Sequence, residues 1–109
     1  SRYKDFYDIY ILADRYDLDG AELKEAIRET FAHRGTDFDD IFAFTDEFLE
    51  SEIHQNRWKA FLKKKKALVN VELEDVTKLL KTLLLPIVES INGDIDYSAR
   101  WDHESQSWK

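Results

Sequence analysis

The sequence predicts an all-α protein, an irregular bundle of about five helices followed by a non-helical C-terminal tail. Two observations carry that prediction. Only three Gly and one Pro occur in 109 residues, while Leu, Ala, Glu and Lys, all good helix formers, are abundant. Apolar residues also recur at helical spacing through most of the chain, with no run of strict alternation. Cysteine is absent, which excludes a disulfide framework, a thiolate metal site and a Cys nucleophile. The longest apolar run, Leu83 to Val88, is too short to cross a bilayer, and no charged-then-apolar leader opens the chain. A cytoplasmic protein with no membrane partner is expected.

Taken in order, the first helix is expected from Tyr3 to about Tyr16, with Ser1 as cap and Phe6, Ile9, Tyr10 and Ala13 inward, widened by Tyr7 and Ile11. Asp19 caps a second helix, Gly20 to His33, whose inward side carries Leu23, Ala26, Ile27, Thr30 and Phe31. Ile41, Phe44 and Phe48 predict a short third helix after the polar connector Thr36 to Asp40. A fourth is expected from Glu52 to Lys65, with Ile53, Arg57/Trp58, Phe61 and Leu62 inward, and Ala67 to Val71 reads as a loop or short extended piece. Glu72 to Ile91 is the clearest helix. Pro86 lies inside it, where a lost backbone bond and a clash with the preceding turn predict a kink near Thr82 to Pro86. Residues 1–93 are thus expected to form one bundle, and residues 94–109 an extended or disordered tail, or one docked by Tyr97, Trp101 and Trp108.

The opening stretch Arg2-Tyr3-Lys4-Asp5-Phe6-Tyr7-Asp8 places two carboxylates three residues apart, on one face of a helix start. Helix-start electrostatics is one explanation, since acids in a first turn complement the dipole. A carboxylate that orients a catalytic lysine, or holds a metal ion against nucleotide phosphates, is the other. With its downstream segments, "LDGAELKEAIRETFAHRGT", a Trp-containing helix and a Leu-rich helix, the run "RYKDFYDIYILA" resembles the C-terminal half of AbiEii/AbiGii-type nucleotidyltransferase toxins. The signature Arg-x-Lys-Asp, an aromatic pair and a second Asp is met at Arg2, Lys4, Asp5, Phe6, Tyr7 and Asp8. A softer match lies at Phe31, Arg34, Gly35 and Thr36.

The resemblance implies a helical region joined to a small nucleotidyltransferase lobe. It also implies transfer of a nucleotide from an NTP with Mg2+, and a toxin of toxin-antitoxin and abortive-infection systems, with RNA such as tRNA as acceptor. Asp5 is then the first choice for the functional carboxylate, Asp8 the second and Lys4 the third, since Lys4 can simply pair with Asp8 across a turn. The lobe's own Gly-Ser followed by Asp-x-Asp is not met: Asp17/Asp19, Asp37/Asp39 and Asp94/Asp96 all lack an upstream Gly-Ser. The chain is therefore expected to be a truncated fragment, inactive alone and binding neither NTP nor Mg2+ tightly, with the missing N-terminal lobe as partner and a bare apolar face where that lobe would sit.

Charge is segregated. Asp37, Asp39, Asp40, Asp46, Glu47, Glu50 and Glu52 fall in a stretch without Lys or Arg, after which Arg57, Lys59, Lys63, Lys64, Lys65 and Lys66 fall in one without acids. The basic run reads either as a solvated helix end suited to the C-terminal dipole or as an RNA contact made by Arg57 and Lys63 to Lys66, with Trp58 for stacking. The acidic block would serve the alternative function, a non-enzymatic helical module binding a protein partner or antitoxin. His33, His54 and His103 have no convincing metal spacing, so no metal site is expected among them. Phe42, Phe44, Phe48, Trp58 and Phe61 read as core.

Overall fold

The computed structural model describes residues 2–34, 50–65 and 70–109. In chain order its elements are α1 (Arg2–Arg15), β1 (Leu18–Asp19), α2 (Gly20–Arg34), α3 (Glu52–Lys65), α4 (Leu73–Asn92), β2 (Arg100–Asp102) and β3 (Ser107–Trp108), and the Leu-rich α4 is the scaffold against which α1, α2 and β3 pack. On α4 the residues Val76, Leu79, Leu80, Leu83, Leu84, Ile87 and Val88 are buried, which is the apolar stripe at three- and four-residue spacing. Onto that stripe α1 contributes Phe6, Tyr7 and Ala13, α2 contributes Ile27, and α3 contributes Trp58 and Leu62.

The expected kink does not break α4, which runs through Pro86 as one element. The carbonyl that the missing proline N–H would have met belongs to Thr82, an exposed residue whose hydroxyl donates to the Lys78 carbonyl at 3.0 Å. Water can reach this side of the helix, so the lost bond costs less there than in the core.

Capping follows the sequence where it is described. Asp19 Oδ1 accepts from the Glu22 N–H at 3.1 Å, the geometry of a cap residue reaching the third position of α2. Ser51 Oγ takes the same place before α3, 3.5 Å from the His54 nitrogen. Two helix faces are corrected. On α2, Ala26 is exposed while Lys24 is buried, because its ammonium donates to the Ile95 carbonyl of the tail. On α3, Ile53 and Arg57 are exposed rather than inward. The expected third helix, with Phe42, Phe44 and Phe48, lies outside the described residues, as does Ser1.

The all-α expectation holds in part, since the described residues are mostly helical with one small sheet besides. The tail is non-helical, but with β1 it builds a three-stranded antiparallel sheet in the order β1-β2-β3, pairing Leu18 with Trp101 and Trp101 with Trp108. The turn between β2 and β3 is set by Asp102, whose carboxylate accepts from the Glu104 N–H at 3.3 Å and the Ser105 hydroxyl at 2.8 Å, and by Gln106 in the left-handed region (φ 53°). Trp101 is fully buried and donates its indole N–H to the Ala13 carbonyl at 2.8 Å. That carbonyl lies in the last turn of α1, where intrahelical donors run out. Trp108 donates likewise to the Leu83 carbonyl of α4 at 3.1 Å, and stands edge-on to Trp101 and Tyr97. Docking through its aromatics is thus the fate of the tail.

Candidate functional site

At the start of α1, Lys4, Asp5 and Asp8 come from one and a half helical turns, and the outward side of that helix continues into Leu12 and Tyr16. At 3.6 residues per turn Asp5, Asp8, Leu12 and Tyr16 fall within roughly 80° of arc, one stripe on the side away from α4. Leu12 and Tyr16 are 50% and 58% exposed, so the stripe passes from two carboxylates to two uncovered apolar side chains. Asp5 and Asp8 are half-buried and Lys4 is exposed.

Asp8 stands between two lysines. Its Oδ2 accepts from the Lys4 ammonium at 2.8 Å, and its Oδ1 lies 3.9 Å from the ammonium of Lys65 at the end of α3. The hydrogen bond to Asp8, then its charge and that of Asp5, raise the pKa of Lys4. This is the pairing across a turn that makes Lys4 the weakest candidate.

Under these charges lies an aromatic layer joining α1 to α3. Tyr3 packs on Trp58 and Phe61 with ring centroids 6.4 and 6.3 Å apart, and Tyr7 meets Phe61 edge-on at 6.0 Å. The Tyr3 hydroxyl and His54 Nδ1 are hydrogen-bonded at 2.9 Å, and the Trp58 indole donates to the Val71 carbonyl. Trp58 is therefore core, and the base-stacking role weighed for it is corrected by its burial (1% exposed). The basic run also divides. Arg57, Lys63, Lys64 and Lys65 are all exposed, but Lys65 alone lies over a ring, 4.9 Å from the Tyr7 centroid, among the described residues of the run; Lys66 lies outside them.

A groove of about 390 Å3 lies elsewhere, between Tyr10 of α1, Asp75, Lys78 and Thr82 of α4, and Gln106 of the hairpin turn. Tyr10 is about 140° round α1 from Asp5, so this groove and the carboxylate stripe occupy different sides of the helix.

The structure also brings together Asp17, Asp102 and His103, whose ligand atoms lie within 4.8 Å of one another, a set the spacing of the histidines does not foretell. Asp17 Oδ1 accepts from the His103 N–H at 3.0 Å and lies 2.6 Å from His103 Nδ1, while Asp102 meets the Lys109 ammonium at 2.8 Å. The hydrogen bond to Asp17 raises the pKa of His103, the His103 N–H lowers that of Asp17, and Lys109 holds Asp102 at about 2. Each carboxylate already has a cation of the chain's own, so this cluster works as a clasp between the α1–β1 link and the hairpin.

A family model for the nucleotidyl transferase AbiEii toxin of type IV toxin-antitoxin systems matches residues 1–81. The chain belongs to the AbiEii nucleotidyl transferase toxin family. No curated protein and no solved structure matches it. The AbiEii match takes in α1, α2, α3 and the first half of α4, and so includes Lys4, Asp5, Asp8 and the basic run; the tail hairpin lies beyond it. Among the described residues no helix is long and apolar enough to cross a membrane.

Proposed function

We propose that this chain is the helical part of an AbiEii-type nucleotidyltransferase toxin, and that Asp5, seconded by Asp8, supplies a carboxylate to a transfer site completed by a nucleotidyltransferase lobe on other polypeptide. The observation that carries the proposal is the outward stripe of α1, where carboxylates adjoin exposed Leu12 and Tyr16 on the surface a second lobe would cover. The sequence holds no Gly-Ser with a following Asp-x-Asp, so the phosphate cradle and paired metal-binding acids have to come from that lobe.

Hard carboxylate oxygens suit Mg2+, which takes one or two protein carboxylates and completes its shell with phosphates and water. Asp5 is the first choice for that carboxylate, from its place in the Arg-x-Lys-Asp signature, and Asp8, whose oxygens face Lys4 and Lys65, is the second. When bound, the ion would supply charge stabilisation to the NTP. The chain's own contribution is to hold Asp5 at a fixed place on a helix anchored by Phe6 and Tyr7, since this chemistry is almost wholly positioning and electrostatics. The acceptor is RNA, with tRNA the first to try.

In the enzyme that joins this chain to its lobe, Asp5→Ala should abolish NTP-dependent labelling of RNA at an unchanged melting temperature. Retained labelling would overturn the role of Asp5.

The type IV toxin-antitoxin family also supports an antitoxin as partner. A non-catalytic module binding it through the acidic block is the second reading, favoured by the exposure of Glu50 and Glu52 at the start of α3. There Glu50→Lys would weaken antitoxin binding and Asp5→Ala would not.

A further inference from the structure

We propose that Lys65 is an exchangeable counter-ion, which lies on Asp8 in the unliganded chain and moves to a phosphate group brought to the carboxylate stripe. The proposal rests on the reading of α1 as one wall of a nucleotidyl-transfer site and adds to it a residue from another helix.

Helical geometry separates Lys65 from its neighbours. It falls between Phe61 and Trp58 around α3, on the side packed against α1, whereas Lys64 shares the exposed side of Arg57 and Lys63 points away from both. From that position the Lys65 ammonium lies 4.9 Å from the Tyr7 ring centroid, 5.8 Å from that of Phe61 and 3.9 Å from Asp8 Oδ1. The rings limit where the charge can go, which leaves the side chain partly arranged before any ligand arrives.

Its present hold is weak. The pair with Asp8 is long and half exposed, a kind of ion pair that contributes little. Asp8 Oδ2 keeps Lys4 at 2.8 Å, so losing Lys65 does not strip the carboxylate of its counter-charge. A phosphate offers more negative charge and several acceptor oxygens to a compact ammonium ion, and therefore competes well for it. Lys4 and Lys65 balance the charges of Asp5 and Asp8 on a chain whose formal charge is -7, so phosphate attraction has to be local to the lysines themselves.

The phosphate could belong to the NTP tail or to the RNA backbone, and the test separates them. The chain is titrated at low salt with inorganic tripolyphosphate and, separately, with a short single-stranded RNA, while the Lys65 side-chain and Tyr7 ring resonances are followed by NMR. Saturable shifts at Lys65 and Tyr7 are expected. Lys65→Gln should weaken binding about tenfold, the loss of a charge-assisted contact, while Lys65→Arg restores most of it and Lys63→Gln, with the same charge change, leaves it within about twofold. Asp8→Asn, which removes the competitor, should tighten it. Response to tripolyphosphate alone assigns the NTP tail, and response to RNA alone the acceptor.

Equal losses from Lys65→Gln and Lys63→Gln, an unchanged affinity in Asp8→Asn, or shifts in neither titration would overturn the proposal. Because binding is read without catalysis, this result can fail while RNA labelling still depends on Asp5, and the reverse.

Discussion

The opening of α1 and the C-terminal hairpin both set aromatic rings beside charges, but they divide the work differently. In the hairpin the rings themselves hold the fold: the indoles of Trp101 and Trp108 donate to carbonyls of α1 and α4, and the ion pairs Asp17–His103 and Asp102–Lys109 fasten its edge. At the opening of α1 the rings of Tyr3 and Tyr7 make a floor, and the charged groups stand above it with Lys4 and Lys65 as partners. A polar group committed to structure bonds the backbone of a different element from a buried place. One available for chemistry holds a solvent-exposed ion pair that is cheap to exchange.

The largest stability effect expected is therefore in the hairpin. Trp101→Ala should cost about 3–5 kcal/mol, as for other buried large-to-small changes, and lower the melting temperature accordingly. Trp101→Phe keeps most of the ring but leaves the Ala13 carbonyl without its donor, for about 1–3 kcal/mol. Asp5→Asn and Asp8→Asn, at the other end of the comparison, should stay within about 0.5 kcal/mol by chemical denaturation. A loss as large as that of Trp101→Phe from either would mean that the carboxylates serve the fold.

Next comes Gly20, which begins α2 and donates its N–H to the Ala99 carbonyl at 2.9 Å. Helix propensity favours Gly20→Ala by up to about 1 kcal/mol. A Cβ there would run into that carbonyl and come within 2.8 Å of the Tyr97 ring, so the segment leading into β2 must move. Backbone displacement of this kind costs about 1–3 kcal/mol and outweighs propensity. Net destabilisation is expected, with far-UV helix signal retained and Trp fluorescence changed. A stabilised variant would show the hairpin to be more loosely seated than its contacts imply.

The helices were legible because their signals are long. α3 has the expected bounds, and Asp19 and Asn92-Gly93 mark real helix ends, since period and caps repeat over many residues. The sheet was not, because strands of two and three residues give alternation nothing to act on, and β1 is hidden in the Leu18–Asp19 link between helices. Trp101 and Trp108 carried the one available signal, two indoles in a segment with no helical face. For the candidate site, adjacency along one helix showed Lys4, Asp5 and Asp8. Lys65 lies 57 positions from Asp8, and no pattern in one sequence reports such a pair. The exposure of Leu12, by contrast, follows from the helical period, which sets it beside Asp5 and Asp8 and away from Phe6 and Ala13.

The smallest effect is the most diagnostic of the hairpin's edge, and it depends on pH with two limbs of opposite sign. Folding raises the pKa of His103 above its ordinary 6.5, chiefly through the hydrogen bond to Asp17. Its contribution is then complete below about pH 6.5 and lost as pH rises through the folded-state value. Folding lowers the pKa of Asp17 below 3.8, chiefly through the His103 backbone N–H and then through the ring. That contribution is present above about pH 3.8 and lost as pH falls through the lowered value. His103→Ala deletes the ring but keeps the backbone N–H, so it should abolish the decline on the alkaline side and only reduce the one on the acid side. Asp17→Asn should abolish both. Thermal melts of the three proteins from pH 3 to 9, compared as differences from the parent so that other titrating groups cancel, separate these outcomes. A His103→Ala difference that stays flat across pH 6 to 8 would mean that the imidazolium adds nothing, and that the Trp101 indole, the Gln106 amide on Asp14 and the backbone N–H on Asp17 hold the hairpin in place.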